Sequence, residues 1–180
     1  MIINNSKTYY FSIFIILIFA FFSCNSDVEK ITDNDYYKFK KPLENVNKTL
    51  VEKDKVRIEN YFKRRKWNMQ VSGTGLYYNI YHKGNGEKAE TEKYATINYE
   101  VKLLNGKLCY TSDSLGPKTF KIGHGGVEIG LEEGVLLMNE GDKARFIIPP
   151  YLAHGLIGDE NRIPARSIIV YNVELLKVTD

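Results

Sequence analysis

From Leu76 onward, apolar and polar positions alternate with period two over most of the chain, broken by short clusters of glycine, asparagine and proline. Leu76–Tyr81 is aromatic and β-prone, and Lys83-Gly-Asn-Gly86 ends it. Ile97, Tyr99, Val101 and Leu103 alternate with polar neighbours, which predicts a half-buried strand. Asn105-Gly106 predicts a hairpin, because both residue types tolerate positive φ. Leu108–Thr111 is its return strand, and Phe120 with Ile122 predicts another short strand. The period then changes. Leu131, Val135 and Met138 fall on one helical face, Glu132 and Glu133 suit a helix start, and Asn139-Glu-Gly141 stops it. Ala144, Phe146 and Ile148 alternate in the next strand, 151–165 reads as a loop, and Ile169, Tyr171, Val173 and Leu175 line one face of a last strand over about 168–178. Strands that dominate one helix predict an α+β fold, an antiparallel sheet wrapped on a helix.

Upstream the pattern differs. Over 49–66 the residues Val51, Ile58 and Phe62 share a helical stripe, Lys63-Arg-Arg-Lys66 closes it, and Trp67 is expected to pack it onto the domain. The basic run suits a solvated helix end; contact with anionic lipid is the alternative. Residues 24–48 are polar with little periodicity and read as a tether. Before them, Lys7 and the apolar run Phe11–Phe22 have the layout of a signal peptide over 1–23, too short for a standard spanning helix. Ser23-Cys24 resembles a bacterial lipoprotein cleavage site, which implies lipidation of Cys24 and an anchor in an envelope membrane. An uncleaved signal anchor is the alternative.

Composition narrows the function classes. With 43% hydrophobic and 26% charged residues, a folded core is expected, while a net charge of +3 spread along the chain gives no argument for a nucleic-acid partner. There are two cysteines, so with Cys24 acylated Cys109 has no partner and no disulfide framework is expected. His82, His124 and His154 are too dispersed for a metal site, and no cofactor is implied.

The landmarks from residue 74 to 178 resemble an FKBP-type peptidyl-prolyl isomerase domain. They are Ile97-Asn-Tyr99, Asn105-Gly106, Phe120-Lys-Ile-Gly123, Gly130-Leu-Glu-Glu-Gly-Val135, Gly141, Pro150, Ala153-His-Gly155, Ile163-Pro164 and Val173-Glu-Leu-Leu176. The resemblance implies a domain over 74–180 after a helical extension at 49–73. It also implies an antiparallel half-barrel of five or six strands around a short central helix, and rotation of prolyl peptide bonds in client proteins. The complete layout, with its leader and Gly73-Thr-Gly75-Leu-Tyr-Tyr78, resembles the gliding-motility-associated FKBP-type lipoproteins of Bacteroidota.

Such an activity needs no nucleophile or metal. The barrier is the loss of amide resonance, about 18–20 kcal/mol, and an apolar pocket that holds the proline ring favours the twisted, less polar amide. The resemblance carries the catalytic positions onto Tyr99, His154 and Tyr171, and the substrate-binding positions onto Cys109, Tyr110, Phe120, Val127, Glu128, Leu131 and Ile163. Leu131 stands where the family commonly has Trp. Glu128 stands where Ile is usual, and its backbone N–H rather than its side chain is expected to matter. Cys109-Tyr110 replaces a Phe-Asp pair, Lys118 replaces an aromatic, and His154 replaces a hydroxyl-donating Tyr, though a ring nitrogen can still donate. These departures imply slower turnover and weak binding of the family's macrolide inhibitors. A non-catalytic module that binds proline segments or partners through the same cleft is the alternative.

Overall fold

The computed structural model describes residues 36–180. The expected signal peptide, the lipidation site Cys24 and the tether up to residue 35 therefore lie outside the described residues. The chain divides into two units, residues up to Val46 and Asn47–Asp180. Among the described residues of the stretch read as tether, a π-helical turn covers Tyr36–Lys40, and helix α1 spans Lys41–Arg64, starting eight residues before the predicted 49.

The second unit holds the sheet. Its strands are β1 (Gln70–Val71), β2 (Tyr77–His82), β3 (Tyr94–Leu103), β4 (Leu108–Thr111), β5 (Lys118–Lys121), β6 (Lys143–Ile148) and β7 (Ile169–Thr179). Short helices α2 (Ser112–Leu115) and α3 (Ile129–Val135) and a 3₁₀ turn at Pro150–Leu152 lie between them. All pairings are antiparallel in the order β1-β2-β6-β7-β3-β4, with β5 paired to the first half of β3. The sheet is thus the expected open, curved one, with seven strands because the two-residue β1 extends one edge.

The hairpin differs from its prediction. Only Gly106 takes a positive φ, +90°, while Asn105 does not. The Gly106 N–H donates to the Leu103 carbonyl and the Leu103 N–H to the Lys107 carbonyl, so residues 104–106 form a three-residue turn. The Asn105 side chain accepts from the Lys107 N–H instead of using its tolerance for positive φ.

The main core lies between the concave face of the sheet and α3. Leu131, Val135 and Met138 are fully buried and meet Ala144, Phe146, Ile148, Tyr171, Val173 and Leu175, although the helix ends at Val135 and Met138 lies beyond it, short of the stop predicted at Asn139-Glu-Gly141. Burial of each large side chain here stabilises the fold by about 1.5–3 kcal/mol. Gly134 lets α3 approach: a Cβ there would stand 2.7 Å from the Phe146 ring.

The residues between these inward positions are buried too. Ile147, Ile168, Val170 and Tyr77 on the opposite face form a second cluster with Ile58 and Tyr61 of α1. Trp67 joins it edge-on to Tyr61 at 5.7 Å, as expected. Of the predicted stripe, Ile58 is buried and Phe62 packs against this cluster, whereas Val51 is exposed; Asp54 and Tyr61 complete the buried face. Asp54 accepts from the Arg166 Nη2 at 2.7 Å and from the Arg57 Nη1 at 3.3 Å, which neutralises a carboxylate that the helix carries into the interface. In the basic run, the Arg65 guanidinium stacks 3.6 Å over Tyr61 and donates to the Tyr61 carbonyl.

Candidate functional site

At the mouth of the main core is a cavity of about 250 Å³, lined by side chains from four strands, two short helices and the loop that carries His154. Ile97, Tyr99 and Val101 come from β3, Tyr110 from β4, Leu115 from α2 and Lys118 from β5. Leu131 of α3 and Tyr171 of β7 complete the wall with Glu128 and His154. Alternation in β3 delivers three of these residues, because every second side chain points to the same face. The Tyr99 and Tyr171 rings face each other at 6.5 Å, inclined by 46°.

The pocket therefore unites six of the predicted site residues: Tyr99, Tyr110, Glu128, Leu131, His154 and Tyr171. Four others lie elsewhere. Cys109 is fully buried in the core, its Sγ 3.6 Å from the Arg162 carbonyl oxygen. Burial pushes its thiol pKa up, which keeps it protonated and removes it as a nucleophile. Phe120 and Ile163 pack into the core around the pocket, and Val127 packs partly buried against it. Glu132 and Glu133, read as suiting a helix start, are structural acceptors: Glu132 takes the Gly123 N–H at 2.7 Å, and Glu133 takes the Thr74 hydroxyl at 2.6 Å.

Glu128 brings its side chain, as well as its backbone, to the site. It occupies the N-cap position of α3, yet its side chain makes no cap bond. The carboxylate instead turns into the pocket, with its side chain 9% exposed. It accepts the Tyr171 hydroxyl at 2.9 and 3.0 Å and is 3.0 Å from the His154 Nε2. Burial, followed by the Glu128 charge and this hydrogen bond, raises the Tyr171 pKa well above that of a free phenol, so its hydroxyl keeps the proton it donates. The position expected to carry an acid, 110, is Tyr, and the carboxylate enters from the facing wall.

The loop that carries His154 is fastened to β4. The Tyr110 hydroxyl donates to Asp159, whose other oxygen accepts from the backbone N–H groups of Ile163 at 2.8 Å and Asn161 at 2.9 Å. Burial alone would raise the Asp159 pKa, but these donors outweigh it and hold it at about 2. Arg162 donates to the Cys109 carbonyl at 2.8 Å and lies 5.4 Å from the Tyr110 ring. Asp159 and Arg162 escape the sequence reading; the one signal is the Asp-Glu-Asn order at 159–161, which favours a side-chain-closed turn. Among the described residues, no group of three or more potential ligands could hold a metal ion.

The family model for FKBP-type peptidyl-prolyl cis-trans isomerase matches residues 85–176, the span that builds this pocket. The chain belongs to the FKBP-type peptidyl-prolyl cis-trans isomerase family. Among curated relatives, FkpA of Escherichia coli (strain K12) is 36% identical over 111 residues, covering 61% of this chain and 40% of that protein. A probable FKBP-type isomerase of Haemophilus influenzae is 30% identical over 155 residues, covering 78% of this chain and 64% of its own length. The chain thus spans less than two thirds of these relatives. The crystal structure of FkpA from Escherichia coli superposes with a TM-score of 0.63 at 28% identity, covering 93% of this chain and 81% of that one. AtFKBP13 superposes at 0.58 with 31% identity, covering 62% and 98%. Against the usual FKBP pocket, this member combines an aliphatic floor at Leu131 with a carboxylate–imidazole–phenol cluster on one wall.

Proposed function

We propose that this protein is a peptidyl-prolyl cis-trans isomerase that acts on proline-containing segments of exported or envelope proteins. The pocket carries the reading. Tyr99, Leu131, Val101 and Ile97 offer a proline-sized apolar surface, open at one end, among walls held rigid by the sheet. Such a surface favours the twisted amide over the planar one and requires no group that makes or breaks bonds. Uncatalysed prolyl isomerisation takes tens to hundreds of seconds, so modest stabilisation of the twisted state gives a measurable rate.

An isomerase assay on the full chain in detergent micelles, with an Ala-Leu-Pro-Phe peptide, tests this. Catalysis is expected and should fall in Tyr99→Ala and His154→Ala. No catalysis, or a rate indifferent to both changes, would leave the second reading, a non-catalytic module for proline segments. Glu128 and Lys118 favour that reading, because both place charge where an apolar lining speeds rotation.

The leader supports placement in the envelope through a lipid on Cys24. The likeness to gliding-motility lipoproteins gives a cellular setting in which clients are secreted or surface proteins. Among the described residues, no helix is long and apolar enough to cross a membrane. Metabolic palmitate labelling that is lost in Cys24→Ala would establish the anchor; labelling of the variant equal to wild type would refute it.

A further inference from the structure

The half-buried lysines of the sheet hold carboxylates, with one exception. Lys102 pairs with Glu100 at 2.8 Å, Lys121 with Glu92 at 2.8 Å and Lys143 with Glu174 at 3.2 Å. Lys118, also half-buried, has no carboxylate at such a distance among the described residues. It opens β5 and pairs in register with Ile97 of β3, which is fully buried and lines the pocket. Side chains directly opposite each other share a face of the sheet, so the Lys118 stem runs along the pocket wall. Phe120, the next residue on that face, is buried in the core, while Thr119 between them turns away and bonds Thr96 at 2.8 Å. A half-buried ammonium without a counter-ion has lost part of its hydration and gained no partner in exchange.

We infer that Lys118 is a specificity-determining residue and that the pocket prefers prolyl segments with an acidic side chain next to the proline. The pocket's own carboxylate is engaged elsewhere: Glu128 accepts the Tyr171 hydroxyl at 2.9 Å and lies 3.0 Å from the His154 Nε2. Tyr171 is in register with Val101, on the opposite edge of β3 from the Lys118–Ile97 pair and about 13 Å further along the strand. The two charges are thus rooted on opposite edges of β3. A proline ring on Ile97, Tyr99, Val101 and Leu131 brings its neighbour's side chain to the rim. There Leu115, 60% exposed, meets the methylene groups, and the Lys118 ammonium meets the carboxylate. The four-carbon stem of lysine is flexible, so the ammonium can meet an acid on either side of the proline.

This preference rests on the proposal that the pocket takes prolyl segments, as an isomerase or as a binding module, and its test separates the two. Fluorescent peptides blocked at both ends, so that only a side chain carries charge, are titrated at neutral pH into the full chain in micelles of an uncharged detergent. Ala-Glu-Pro-Phe or Ala-Leu-Pro-Glu should bind about fivefold tighter than the same peptide with Gln for Glu, the upper end for an ion pair that water still reaches. High salt should shrink the difference. Lys118→Arg should keep the preference, Lys118→Gln should remove it and Lys118→Glu should reverse it. Each ratio is read within one variant, so a general loss of affinity does not move it. Glu and Gln peptides that bind wild type alike while Ala-Leu-Pro-Phe still binds would overturn the preference and leave the prolyl reading standing. A preference that survives in Lys118→Gln would overturn it equally. A preferred peptide that binds as tightly with Ala in place of Pro, or no binding of any prolyl peptide, would refute the prolyl reading and the preference with it.

Discussion

Tyr99 is the residue on which the pocket's apolar character turns. It lines the pocket and faces Tyr171, whose own hydroxyl is spent on Glu128. Tyr99→Ala should lower kcat/KM about tenfold or more, equivalent to ~1.4 kcal/mol of transition-state stabilisation, with the fold intact by circular dichroism. Asp159 shows how electrostatics hold the loop. Its pKa is lowered from the ordinary 3.8 to about 2 in the folded state, so its contribution is complete above about pH 4 and is lost as pH falls through 2. Asp159→Asn should cost on the order of 1 kcal/mol at neutral pH, a figure reduced for solvent screening, and should flatten the acid limb of the stability profile. Urea melts at pH 7 and pH 2.5 measure both. Matches to family positions place Tyr99, Leu131 and Tyr171 in the sequence, because strand alternation and helical spacing fix their directions. They leave the direction of the Glu128 side chain unread, because an N-cap residue has no periodicity to aim it; its partners Tyr171 and His154 stand 43 and 26 residues away.

At the scale of elements, α3 packs on the sheet through Gly134. A methyl group there meets three atoms of the Phe146 ring at 2.7–2.9 Å, so the ring or the helix must shift. Gly134→Ala should destabilise the domain by about 1–3 kcal/mol through overpacking, despite the better helix propensity of alanine, and thermal melts would show it. The strands and α3 are legible because their hydrophobic period matches one buried face. The helix α1 is read less well, since its inward face is Asp54, Ile58 and Tyr61, and a charged residue breaks the stripe that periodicity seeks. What neutralises Asp54 is Arg166, 112 residues away, a long-range pairing that no local pattern encodes. The unbroken runs Phe146-Ile-Ile148 and Ile168-Ile-Val170 carry the local signal, since they lack alternation, which is the mark of a sheet covered on both sides.

For the whole molecule, that double cover makes α1 part of the domain's stability and not an appendage to it. The helix buries Ile58 and Tyr61 against Tyr77, Ile147, Ile168 and Val170, all less than a tenth exposed, and anchors Asp54 to the loop through Arg166. At about 1.5–3 kcal/mol for each large apolar side chain taken from water, losing these contacts costs on the order of 5 kcal/mol, comparable to the entire stability of a small domain. A chain that begins at Gln70 keeps every residue that lines the pocket. It would nonetheless expose Ile147, Ile168 and Val170 as one apolar patch on the convex face of the sheet. Such a chain should melt at least 10 °C lower than the full chain and aggregate on refolding, because a shift of 1 kcal/mol moves the midpoint by roughly 4–8 °C at this size. Differential scanning calorimetry of the two proteins decides it. Equal midpoints would mean that the sheet tolerates an uncovered face and that α1 serves only to space the domain from whatever lies before it.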